Sequence, residues 1–177
     1  MTTDLLPYVG ALAVLGLWML GAHNRVTALR AVVLGAWAPV DQVLTQRGQA
    51  LAALLAAAAE PLAGEAAALD AVAQAQAQVE AAQELVRRRP VDPGTVAELS
   101  KADAVLLAVL VRLLSLVDQQ APLRADEGVR QSLAQLKDAP AQLAFARQLF
   151  NQAGTAYNSA TQQFRSEERR VGKECVP

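Results

Sequence analysis

One cysteine and one histidine are all that this chain of 177 residues offers in thiol and imidazole chemistry. Cys175 stands almost at the C-terminus, so disulfides, thiolate metal sites and a cysteine nucleophile have no material in the body of the chain. His23 borders an apolar run, away from any serine it could activate. The Glu-x-x-His pairs with which helical bundles hold two metal ions are absent. The sequence therefore predicts no catalytic residue, no metal and no cofactor. Carboxylates alone, Glu60 with Glu65 or Asp41, could do acid–base chemistry if their pKa values were driven apart, but nothing in their spacing demands it.

Aromatic residues, which favour strands, make up only 4% of the chain. The net charge of −1 supplies no cationic excess for a phosphate backbone, so no nucleic-acid partner is expected. The one basic run, Arg87-Arg88-Arg89, closes a predicted helix just before Pro90. Cations there complement the free carbonyls and the negative end of the helix dipole.

What is abundant is alanine, leucine and valine. The hydrophobic fraction is 53%, and alanine and leucine are the strongest helix formers. An all-α fold follows, with enough chain for one apolar core. Residues 1–23 form the first segment. From Leu5 to Ala22 no charge occurs, and a helix of that length rises roughly 27 Å, near the thickness of a bilayer's hydrocarbon. Tyr8 and Trp18 lie towards its two ends, where amphipathic rings favour the interface. No basic residue precedes the run and no good cleavage site follows it, so an uncleaved anchor is expected rather than a signal peptide. Arg25 and Arg30 follow it, which places the N-terminus outside and the bulk of the chain in the cytoplasm.

Residues 24–164 read as an antiparallel up-and-down bundle of four helices. The first, Arg25 to about Glu60, has Pro39 inside it and should kink near Gly35–Ala36. The second covers Glu65 to Arg89, and the third runs from Thr95 to about Gln120 with a stripe of Leu99, Leu106, Leu110, Leu113 and Val117. The fourth region, Arg124 to Phe164, carries Leu136, Leu143, Phe150, Tyr157 and Phe164 every seven residues. Ala139, Ala146, Ala153 and Ala160 repeat three places later. Large residues alternating with alanine along a seam allow close helix packing. Asp138 before Pro140 is a candidate N-cap at which this region restarts.

Residues 165–177 shift composition abruptly. Arg165 to Cys175 resembles the in-frame translation of a sequencing adapter, so an artefactual tail that breaks the helix is expected there.

Several strings carry a family resemblance. The apolar run is followed by Asn24-Arg25, then Ala36-Trp37-Ala38-Pro39-Val40-Asp41 and Gln46-Arg47. Near the other end stand Ala146-Arg147-Gln148-Leu149-Phe150-Asn151, then Tyr157-Asn158 and Phe164. Together they resemble the LemA family over Leu5 to Phe164, with Ala52-Ala53 where that family usually shows a Pro-Asn step. The resemblance implies a helical bundle behind one membrane span, with a small external N-terminus, and it implies no chemistry. Its motif positions are Trp37, Asp41, Arg47, Arg147, Phe150, Asn151, Tyr157 and Asn158.

The polar members of that set fall on or beside the predicted seams. Either they receive a partner or ligand, or they satisfy one another between helices, with Arg147 meeting Asp41 or another acid. The expected role is a non-enzymatic scaffold of the bacterial inner membrane, with the lipid bilayer and an unnamed protein as partners. A periplasm-facing bundle with a binding role is the alternative.

Overall fold

The computed structural model describes the backbone of residues 6–174 and the side chains of residue 14 and residues 16–163. All regular structure among the described residues is helical. Helix α1 is Leu6–Ala58, α2 is Ala66–Arg88, α3 is Pro93–Gln119, α4 is the short Ala121–Ala125, and α5 is Glu127–Glu174. A single turn of tighter helix, Ala63–Glu65, leads into α2.

The turns follow from local chemistry. Asp92 caps α3, its carboxylate accepting the Gly94 N–H at 3.0 Å, with Pro93 at the first helical position where its missing N–H costs nothing. The Thr95 hydroxyl donates back to the carbonyls of Arg89 and Asp92 and ties the loop down. Asp126 does the same for α5 by accepting the Val129 N–H at 2.9 Å. Gln120 is extended, which ends α3, and Pro122 lies in the first turn of α4.

Two expected breaks are not breaks. The helix does not restart at Asp138–Pro140; α5 runs through Pro140 as α1 runs through Pro39. A proline inside a helix leaves the carbonyl one turn back without its partner. Both prolines are exposed. Beside Pro140, the burial of Leu136, Ala139 and Leu143 keeps the helix in register. The helix also does not stop at Phe164 but continues to Glu174. Residues 165–171 contain neither proline nor glycine, and their Glu and Arg residues are good helix formers. Similarly, the run expected as a separate anchor is continuous with α1 from Leu6.

The chain divides into two compact units, residues 36–150 and residues 1–35 with 151–177. The division falls between Gly35 and Ala36, one turn before Pro39. In the larger unit every long helix contributes a seven-residue seam. Trp37, Leu44, Leu51 and Ala58 are buried from α1, and Val72, Val79 and Val86 from α2. From α3 come Leu99, Leu106 and Leu113, and from α5 Val129, Leu136, Leu143 and Phe150. The alanine seam of α5 is buried as well, at Ala139 and Ala146. Helices α2 and α3 pack extensively on one another. Against α1, α2 comes so close that a Cβ on Gly48 would stand 2.7 Å from the Gln76 carboxamide nitrogen.

In the smaller unit Val33, Ala153 and Ala160 are buried. Val14, Leu17, Trp18, Met19 and Leu20 are each more than half exposed. The expected span of Leu5–Ala22 lies largely outside the residues with described side chains, as do Tyr8, Phe164 and Cys175. Among the described residues no single helix is long and apolar enough to cross a membrane.

Candidate functional site

Charged residues occupy two of the seam positions that should hold hydrocarbon. On α1 the series Val33, Val40, Arg47 and Leu54 steps by seven, and Arg47 is buried to 5%. On α3 the series Asp103, Leu110 and Val117 steps likewise, and Asp103 is buried to 3%. The packing that drives the seams together therefore carries a cation and an anion into the core. They meet there: Arg47 Nη2 lies 2.5 Å from Asp103 Oδ1. The other carboxylate oxygen, Oδ2, accepts a hydrogen bond from Arg147 Nη2 of α5 at 2.8 Å. One aspartate thus ties three helices through two arginines.

This layer is incompletely satisfied. The Arg47–Asp103 contact lacks hydrogen-bond alignment, and Arg47 Nε and Nη2 and Asp103 Oδ1 are buried without a hydrogen-bond partner. Two guanidinium groups also face a single carboxylate. The Arg147 side chain is 40% exposed and shares its charge with water, whereas that of Arg47 is 4% exposed and cannot.

Beside Arg47, a groove of about 370 Å³ opens between α1 and α5. Half of its lining residues are glutamines, Gln46, Gln49, Gln135 and Gln142, with Asp138 and Arg47 as the charged members and Val43 and Ala139 as the apolar ones.

A second polar cluster joins α1 to α2. Gln83 donates to the Asp41 carboxylate at 2.8 Å and to the Thr45 hydroxyl at 3.1 Å. Arg87 Nε donates to the same Asp41 oxygen at 2.7 Å, a bond that raises the Arg87 pKa further. Arg88 and Arg87 both reach Glu84, at 3.0 and 3.4 Å. Hydrogen bonds from Arg88 first, then Arg87, hold the Glu84 carboxyl below the ordinary 4.5. A group lowered in this way favours the folded state above its unfolded pKa and loses that contribution as pH falls through its folded one. Carbon-detected NMR titration should show Glu84 ionising below 4.5, and Arg88→Ala should move it upward.

The motif positions separate into these clusters and others. Trp37 and Phe150 meet edge to face at 5.5 Å between ring centres, inclined at 64°, with the Trp37 Nε1 buried and without a hydrogen-bond partner. Asn151, Tyr157 and Asn158 belong to the smaller unit, where both asparagines are exposed and Tyr157 is half-buried. Thr155 donates to the Asn151 carbonyl and Thr161 to that of Asn158. His23 is exposed in the same unit. Among the carboxylates weighed as acid–base groups, Glu65 pairs with Arg112 at 3.0 Å and Asp41 with Arg87, while Glu60 is exposed. Among the described residues, no three His, Cys, Asp or Glu side chains gather in a way that could hold a metal ion.

The sequence reading did not single out Asp103, Gln83 or Gln76. The signal for Asp103 was present, as an acid standing in the gap of the Leu99–Leu106–Leu110–Leu113–Val117 stripe.

No curated protein matches the chain. The model of the LemA family matches residues 36–168, which takes in the whole larger unit, both arginines of the charged layer and their shared aspartate. With most of its length matched, and with Trp37, Asp41, Arg147 and Phe150 in the matched part, the chain belongs to the LemA family.

Proposed function

We propose that the chain is a membrane-anchored scaffold without catalytic activity, whose helices form an antiparallel up-and-down four-helix bundle that docks other proteins at the bilayer. The observation that carries this reading is the apolar face at the start of α1. Leu17 is 71% exposed and Met19 64%, and Val14, Trp18 and Leu20 are each more than half exposed. Contiguous apolar surface of this kind is unfavourable in water and favourable in lipid. The same segment continues upstream without a charge to Leu5.

Arg25 and Arg30 follow the apolar segment with no basic residue before it, which favours an external N-terminus and a cytoplasmic bundle. Four long helices joined by short connections suit the up-and-down arrangement. Exposed apolar side chains on the bundle, Val105, Leu107 and Val111 on α3 and Phe145 and Leu149 on α5, offer surface to a partner protein.

A dual topology reporter joined after Ala156 tests the reading directly. Activity of the cytoplasmic reporter alone is expected. Activity of the periplasmic reporter alone would place the bundle on the other side of the membrane, and its partners with it.

A further inference from the structure

The larger unit distributes its exposed charge unevenly. Helices α2 and α3 expose Asp70, Glu80, Arg88, Glu98, Arg112 and Asp118. Residues 38–57 of α1 include only two charged side chains, Arg47 in the core and Asp41 paired with Arg87 of α2. On α5, Gln135, Asp138, Gln142, Phe145 and Leu149 share one face by their helical spacing. Lys137 and Arg147 fall off that face, and Arg147 bonds Asp103 of α3 instead. Because Gln135, Asp138 and Gln142 also line the α1–α5 groove, face and groove are continuous. Phe145 is 66% exposed and Leu149 41%. Apolar side chains clustered on a surface with so little charge are favoured by being covered.

We infer that this face joins two copies of the chain in a two-fold dimer, with Phe145 of each copy seated in the α1–α5 groove of the other. A two-fold interface sets a surface against itself, so a face carrying charge of one sign repels its own copy. Here the only exposed charge is Asp138, among the described residues. Glutamine both donates and accepts, so it can bond the same residue across the axis. Lipid would leave these carboxamides and Asp138 unpaired, which favours protein as the occupant. With the axis crossing α5 at Gln142, antiparallel α5 helices bring Phe145 opposite Ala139. That alanine and Val43 are the apolar residues of the groove. The same axis separates the two Asp138 positions by roughly 12 Å along the helix, beyond about one screening length. Residues 38–57 of α1 beside residues 131–149 of α5 form a face roughly 30 Å long and two helices wide. Two such faces cover roughly 1,100 Å² in total, just above the ~1,000 Å² of a specific contact. The face lies wholly within the larger unit, so membrane attachment plays no part in it.

The test uses the full chain in density-matched detergent micelles, followed by sedimentation equilibrium. The parent should sediment as a dimer. Phe145→Glu should keep the helical circular dichroism, since that side chain is exposed in the single copy, and should raise the dissociation constant of the dimer at least about thirtyfold. Crosslinking locates the axis. In a chain carrying Cys175→Ser, Gln142→Cys should give a disulfide-linked dimer on mild oxidation. Asp138→Cys should not, because its two copies stand too far apart for a disulfide. The proposal is overturned if the parent sediments as a monomer, if Phe145→Glu dimerises as tightly as the parent, or if Gln142→Cys crosslinks no faster than Asp138→Cys.

Discussion

Asp103→Ala is expected to lower the stability of the fold by about 3–5 kcal/mol, a large share of what a domain of this size possesses. The substitution removes little volume and no large apolar contact. Its effect comes from Arg47, whose side chain is 4% exposed and would be left in the core with no anion at all. Arg147 loses the same partner but reaches water, and its loss is smaller. The contrast with the paired replacement makes the cause testable. Arg47→Met with Asp103→Leu takes both charges away and restores hydrocarbon to two seam positions, and it should be neutral or stabilising relative to the parent. Urea unfolding of the three proteins decides the matter. If Asp103→Ala unfolds at the parental urea concentration, the layer does not hold a buried charge pair.

Trp37→Ala should cost a similar amount, about 3–5 kcal/mol, for an unrelated reason. Trp37 is buried against Phe150 edge to face, so truncation removes a large apolar surface and leaves a cavity between α1 and α5. Trp37→Phe separates packing from polarity. It keeps an aromatic ring against Phe150 and deletes the Nε1 donor, which has no hydrogen-bond partner. An unmet buried donor is a burden, so part of the packing loss should be offset and the net cost should stay under about 1.5 kcal/mol. Equal destabilisation by Ala and Phe would mean that the indole nitrogen, and not the ring contact, matters at this position.

The helices themselves were legible because their seams are written in a strict period. Leu136, Leu143 and Phe150 with Ala139 and Ala146 announce one face of α5, and the structure buries all five. Asp92-Pro93-Gly94 likewise announces a helix start, and the cap is there. What the pattern hid was the polar layer. Asp103 looks like any acid on a helix until its place in the seven-residue series is counted, and its two arginine partners lie 56 and 44 positions away along the chain. Only the packing of α1, α3 and α5 brings them together. The prolines misled in the opposite direction. Local rules make Pro140 a helix boundary, but the burial of Leu136 and Ala139 before it and of Leu143 after it holds the helix. Gln83 could not be read as a hinge-pin between α1 and α2 either, since the Gln-rich stretch of α2 resembles a solvated surface. Gln83 is buried because Asp41 and Thr45 of α1 accept its hydrogen bonds, while Gln76 stands where α2 approaches Gly48.

Whether lipid covers the exposed apolar start of α1 is the claim on which the scaffold reading rests. Alkaline carbonate washing of membranes from cells making the full chain, set beside a version beginning at Ala36, measures it most directly. The full chain should stay with the lipid, and the shortened one should pass into the supernatant with its helical signal intact. Recovery of the intact full chain in the wash would contradict the account.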